Sequence, residues 1–347
     1  MSGKVIKIGT ITIIAFFMGA LCLLFPAISA NGAREGLIIC GNVVIPSLFP
    51  FCVLALFCFK SGIIGYIARF LSPFSKRIFH LSGEQFCVLI MSCLAGYPVG
   101  IKLIKTLCAQ DAITAEQAKR MSLYCINAGP AFILTAVGEG MLGNRYYGRI
   151  LLFANLMATL IICFVTEVRQ TPPVSAVKKE SMPISDAFVD ATADAAKSIF
   201  GICGWVVLFS SILSIINCGV LPENVCKPLE YLFEVTTAAM ATKNILLISV
   251  ILSFCGLCVH CQVYSVGKGA TAPYGKFLLF RAFHASISVL ITYIFLKSDN
   301  RAIHTISNNI STVRNNVSFT YTSAIALIIL SLVLCVSVSD RKNLKFM

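Results

Sequence analysis

The chain has 347 residues, 57% of them hydrophobic and only 12% charged, with a mean hydropathy of +0.86. Soluble globular domains carry about a quarter charged residues, so this composition excludes a water-soluble globule and reads as an all-α polytopic membrane protein. The excess of 28 Lys and Arg over 15 Asp and Glu then belongs to cytoplasmic loops, and no nucleic-acid partner is expected; the partners are membrane lipid and a small molecule.

From the N-terminus, Lys4 and Lys7 precede an apolar stretch over 8–30. That stretch exceeds the seven to fifteen residues of a signal-peptide core, so it reads as a retained span within residues 1–36. Eight windows in all are long and apolar enough for the ~20 residues of a full crossing: 8–30, 37–59, 121–143, 147–166, 199–220, 244–266, 277–297 and 322–339.

Two further segments do not read as simple crossings. Segment 84–108 is broken by Gly96-Tyr97-Pro98-Val99-Gly100, and the 121–143 window that follows it is broken by Asn127-Ala128-Gly129-Pro130. In hydrocarbon the backbone groups freed by such breaks must find protein partners or line a cavity, and paired interrupted segments point to a transporter's binding site. Segment 226–243 is short and carries Glu234-Val235-Thr236-Thr237 at its middle. Both segments are expected to be re-entrant hairpins.

Charge supports that topology. With both hairpins re-entrant and the N-terminus inside, 20 of the 28 basic residues fall on the inner side and 8 on the outer, Lys268, Lys276 and Arg281 being counted as one inner loop. Making the first hairpin a full span, alone or together with the second, removes the bias. The arrangement predicts two inverted repeats: a first gate-like repeat over 37–166 and a second over 186–297, joined by a cytoplasmic linker at 167–185 and followed by an outer polar loop and last span over 298–347. In each, a span, a hairpin, a breaker-containing span and a further span follow in order, in opposite orientation, so that the halves rock around a midplane site.

Local signals add detail. Thr114-Ala115-Glu116-Gln117 has the form of a capping box, Ser185 is expected to cap a helix carrying the stripe Phe188, Ala191, Ala195 and Ile199, and 63–80 reads as an interfacial helix. The 16 cysteines lie mostly inside apolar runs, where they act as small hydrophobes. The tightest group, Cys255, Cys258, His260 and Cys261, lacks a converging ligand set, and no metal or cofactor is expected.

Three runs in this order, Val44-Ile45-Pro46-Ser47-Leu48-Phe49-Pro50-Phe51, Ala95-Gly96-Tyr97-Pro98-Val99-Gly100-Ile101-Lys102 and Asn127-Ala128-Gly129-Pro130-Ala131-Phe132-Ile133, resemble the sporulation integral membrane protein family YlbJ, also called SpoVV. The resemblance thins after the linker, where Leu232-Phe233-Glu234-Val235-Thr236-Thr237 and Ser253-Phe254-Cys255-Gly256-Leu257 match the second-half signatures, while Ala238-Ala239 stand where relatives are expected to have glycine. The family belongs to the membrane proteins with nucleoside-recognition or gate domains and is similar in architecture to concentrative nucleoside transporters. The resemblance implies an endospore-forming bacterium, a place in the cytoplasmic membrane and then the outer forespore membrane, and export of dipicolinate from the mother cell.

Such a ligand, a planar aromatic dianion, suits amides and hydroxyls at the ends of broken helices, where the dipole's positive end attracts carboxylates. Gly96, Gly100 and Gly129 permit close backbone approach; Tyr97, Pro98, Asn127, Thr236 and Thr237 complete the expected substrate-binding set, with Lys102 as its positive partner or as a lysine snorkelling to the interface. Glu234 would repel a dianion, so a coupling or gating role, with a proton or coupling cation, is expected of it. Glu139 is expected to face the interface. An enzyme is disfavoured, since no metalloprotease, nucleophile-elbow or phosphate-loop motif occurs. A nucleoside transporter and a non-transporting spore-envelope assembly factor are the rivals.

Overall fold

A computed structural model describes Phe16 and residues 19–170, 182–220 and 222–298, and among these every regular element is helical. We number them α1 (Pro26–Lys60), α2 (Ile63–Phe79), α3 (Gly83–Ala95), α4 (Tyr97–Ala109), α5 (Ala115–Met121), α6 (Phe132–Met141), α7 (Arg145–Glu167), α8 (Ile184–Ile215), α9 (Glu223–Phe233), α10 (Val235–Met240), α11 (Ile245–Phe254), α12 (Gly256–Val266) and α13 (Tyr274–Ser298). Five stretches are long and apolar enough to cross a membrane: α1, α7, α8 with its continuation to Gly219, α11 with α12, and α13. The expected span at 322–339 and the core of the linker lie outside the described residues, as does the first part of the 8–30 window.

Two boundaries differ from the sequence reading. Residues 31–36 are not a loop, because α1 runs unbroken through them, with a π-type turn at Cys40–Val44. Gly32 and Gly36 bring its backbone against α8, where a Cβ on Gly32 would stand 2.7 Å from the Ser210 carbonyl oxygen and one on Gly36 2.8 Å from Val207 Cα. Small residues at four-residue spacing allow this close helix pairing in lipid. Ser185 does not cap α8; the helix starts one residue earlier, after Pro183, and the Ser185 hydroxyl turns to Asp186. Most of the expected stripe is nonetheless the packed face, with Ala191, Ala195 and Ile199 buried, while Phe188 stays exposed and meets Phe57 edge to face.

The interfacial helix appears as α2, set at 88° to α3. The turn between them is fixed by a capping box at Ser82 and Gln85. The expected capping box at Thr114 and Gln117 forms with both of its hydrogen bonds.

The chain turns back on itself at Gly96, which has φ +91°. A Cβ built on Gly100 would lie 2.7 Å from Ser92 Cβ; two residues eight apart meet this way only if α3 and α4 are antiparallel arms. In the second half the chain changes direction at Glu234, whose extended backbone separates α9 from α10.

Each hairpin is followed by a broken helix. In the first half residues 122–129 are non-helical between α5 and α6. In the second, Cys255 and Gly256 adopt left-handed backbone between α11 and α12.

Candidate functional site

The breaks are paired. A Cβ on Gly96 would lie 3.6 Å from the backbone nitrogen of Gly129, so the first hairpin's tip rests on the first broken helix. A Cβ on Gly256 would lie 3.3 Å from the carbonyl oxygens of Leu232 and Phe233, so the second hairpin's tip rests on the second broken helix. The hydroxyl of Tyr97, at the first tip, donates to the Leu252 carbonyl of the second broken helix at 2.8 Å. This bond joins the two assemblies.

Between the tips lies a cleft with ≈ 470 Å³ of empty space counted out to its mouth. Its walls are Val44, Ser47 and Leu48 of α1, Tyr97 and Pro98, Gly129 and Phe132, Ile202 and Val206 of α8, Glu234, Val235 and Thr236, and Val259 and Gln262 of α12. The three runs that carry the resemblance, together with Glu234-Val235-Thr236 of the second half, thus converge on one place. Val44 and Ile202 stand near the middle of the two longest apolar helices, each long enough to cross a membrane.

Of the expected substrate-binding residues, Tyr97, Pro98, Gly129 and Thr236 line the cleft, and Gly96 packs against two lining residues, Leu48 and Gly129. Glu234 lines it as well. Its side chain caps α10, accepting from the backbone N–H of Thr236 at 3.0 Å and of Thr237 at 2.6 Å, and the residue is 3% exposed. The Thr237 hydroxyl is buried without a partner among the described residues. Among the described residues no lysine or arginine lines the cleft.

The other three stand apart. Gly100 packs on backbone, since a Cβ there would come within 2.0 Å of the Cys125 carbonyl oxygen. Asn127 is buried in a polar seam away from the cleft: its amide donates to the Tyr124 carbonyl at 3.0 Å, and its oxygen accepts from Thr159 at 2.6 Å. Thr159 in turn contacts His284 Nε2 at 3.0 Å. Lys102 points to α8, donating to Ser198 Oγ at 2.7 Å and to the Asp194 carbonyl at 3.0 Å, and lines a second cavity.

Sequence reasoning missed Arg281. Counted there as a loop charge, it lies within α13, fully buried, and donates to the carbonyls of Ile126 and Leu123 at 2.6 Å each. The signal was present, because an ionisable residue inside an apolar run is by default functional or structural at depth. Ser47 and Gln262 were also missed as cleft residues. The cysteine-histidine group is tied into packing, with His260 Nε2 against the Phe254 carbonyl at 2.9 Å. Glu139 is exposed and pairs with Arg145 at 3.1 Å.

These features define a class: an integral membrane protein in which two chain reversals and two broken helices enclose a cleft. No family model matches the chain, and no solved structure matches it. It is 25% identical, over an alignment of 348 positions covering 86% of this chain and 85% of the relative, to the sporulation integral membrane protein YlbJ of Bacillus subtilis (strain 168). That match supports placing the chain in the YlbJ family of integral membrane proteins.

Proposed function

We propose that the chain is a transporter that moves a small organic anion, dipicolinate, from the mother cell across the outer forespore membrane during sporulation. The observation that carries the reading is the convergence of four separated sequence runs on one cleft between two hairpin tips, since irregular backbone is tolerated at membrane depth where it surrounds a cavity. The relative's role in sporulation supports the setting. Apolar walls from Val44, Leu48, Ile202 and Val206 suit the faces of a planar ring, and the hydroxyl and amide groups of Ser47, Thr236 and Gln262 suit its polar edge.

Glu234 sets a condition on this reading. A dianion some 4–6 Å from an ionised carboxylate is opposed by several kcal/mol at an effective dielectric of about 20, so a proton or cation must enter with the anion. A second reading is favoured by another observation: a cleft with no lining cation among the described residues suits a neutral nucleoside.

Uptake by the purified protein in proteoliposomes separates the readings. Flux of labelled dipicolinate, competed by unlabelled dipicolinate and not by uridine or adenosine, is the expected result. Nucleoside flux alone replaces the first reading with the second, and flux of neither solute leaves a non-transporting role in envelope assembly.

A further inference from the structure

The second cavity, with ≈ 850 Å³ of empty space counted to its mouth, is lined by Leu56, Phe59 and Lys60 of α1, Lys102, Leu103 and Thr106 of α4, Gln110, Met182, and Asp194 of α8. Its walls are the same three helices that flank the cleft, and on the same faces. Along α1, Leu48 lines the cleft, Leu56 and Lys60 line the cavity, and Cys52 stands between them, all at four-residue spacing. Along α4 the row is Pro98 in the cleft, then Lys102 and Thr106 in the cavity. Along α8 it is Val206 and Ile202 in the cleft, Ser198, then Asp194 in the cavity.

Residues four apart share a helix face, so the two cavities lie in line along one seam. The eight residues from Leu48 to Leu56 set them roughly 12 Å apart at 1.5 Å per residue. In that row the buried Cys52 and the 2.7 Å hydrogen bond from Lys102 to Ser198 stand between the cleft residues and the rest of the cavity.

The charges are unequally matched. Lys60 is held by two carboxylates, Asp190 at 2.6 Å and Asp194 at 2.9 Å. Lys102 is half-buried and bonded only to neutral oxygens, a hydroxyl and a carbonyl. It makes no ion pair among the described residues. The Asp194 carboxylate also lines the cavity and acts on Lys102, but it is paired with Lys60; a half-buried ammonium facing an open cavity with no direct ion pair of its own favours an anion.

We propose that this cavity is a capture site for a carboxylate anion, placed on the same route as the cleft and closed from it by the Lys102–Ser198 hydrogen bond. Substrate arriving at Lys102 competes for the ammonium, releases Ser198, and opens the seam toward the hairpin tips. The proposal rests on the transport reading for the identity of the anion, and not for the cavity's preference for carboxylates.

Equilibrium binding to the full chain in nanodiscs tests it, with two probes, dipicolinate and isophthalate. The expected result is that Lys102→Gln weakens both probes by about ten-fold or more, that Lys102→Arg retains affinity, and that the loss shrinks at high salt. Thr106→Phe, which fills the cavity from its wall, should abolish binding of both and serves if Lys102→Gln does not fold. Dipicolinate binding unchanged in Lys102→Gln, or in Thr106→Phe, overturns the capture site and leaves the transport reading standing. Lys102-dependent binding of isophthalate without any of dipicolinate sustains the capture site and removes dipicolinate as its ligand. Wild-type protein that binds neither probe overturns both.

Discussion

Arg281 and Ile126 are joined by a 2.6 Å hydrogen bond from guanidinium Nη1 to the main-chain carbonyl, with Nη2 reaching Leu123 at the same distance. A helix of the second half thereby satisfies the carbonyls that unwinding frees in the first. Replacing this side chain strands two buried acceptors, each costing about 1–3 kcal/mol. Arg281→Met should therefore lower the melting temperature of the detergent-solubilised protein by several degrees, with Arg281→Lys intermediate. A wild-type melt for Arg281→Met would show that water or neighbouring donors hold the unwound stretch without it.

A glycine of the first hairpin and one on α8 should separate by cause. Gly100→Ala forces a methyl group against the Cys125 carbonyl, a backbone obstacle that cannot move aside, so loss of folded protein is expected. Gly201→Ala on α8 meets nothing within 4 Å and should be neutral or stabilising by up to ~1 kcal/mol. Size-exclusion profiles and thermal melts of the two variants provide the comparison; equal behaviour would contradict the close approach of α4 to residue 125.

Asn127 and Gln262 make a second contrast. Asn127 spends its hydrogen bonds inside the protein, whereas Gln262 lines the cleft. Asn127→Ala should depress stability by about 1–3 kcal/mol, while Gln262→Ala should raise KM for the transported solute with an unchanged melt. The opposite pattern would move the ligand toward the polar seam.

Glu234 offers the sharpest discrimination between solutes. Glu234→Gln removes a negative charge from the cleft and keeps a side-chain oxygen to cap α10. Affinity for dipicolinate should rise and affinity for a neutral nucleoside should not. Weaker dipicolinate binding in a folded Glu234→Gln variant would place the anion elsewhere than the cleft.

Much of the architecture could be read from residue order because breakers act locally. Gly96, the Asn127–Pro130 run and the Thr114–Gln117 box each fix their own backbone, and the structure shows a turn, an unwound stretch and a cap at those places. What order does not carry is direction around a helix axis. Lys102 lies four residues beyond Pro98, yet its side chain turns to Ser198 on a helix nearly a hundred residues away. Arg281 was assigned to a loop because charge suggests water, whereas carbonyls freed elsewhere in the chain supply its solvation. The continuity of α1 was hidden for a related reason: Gly32 and Gly36 look like loop residues until α8 lies against them.

That last contact changes which parts of the molecule can travel together. Pressed backbone to backbone at Gly32 and Gly36, α1 and α8 behave as a single strut, although one belongs by sequence to the first half and the other to the second. A relative motion of the two hairpins must then occur against this strut rather than within it. The mechanical joint then runs across the expected division into halves, and hinge positions are to be sought at the helix breaks, Gly96 and Cys255-Gly256, and not in the linker.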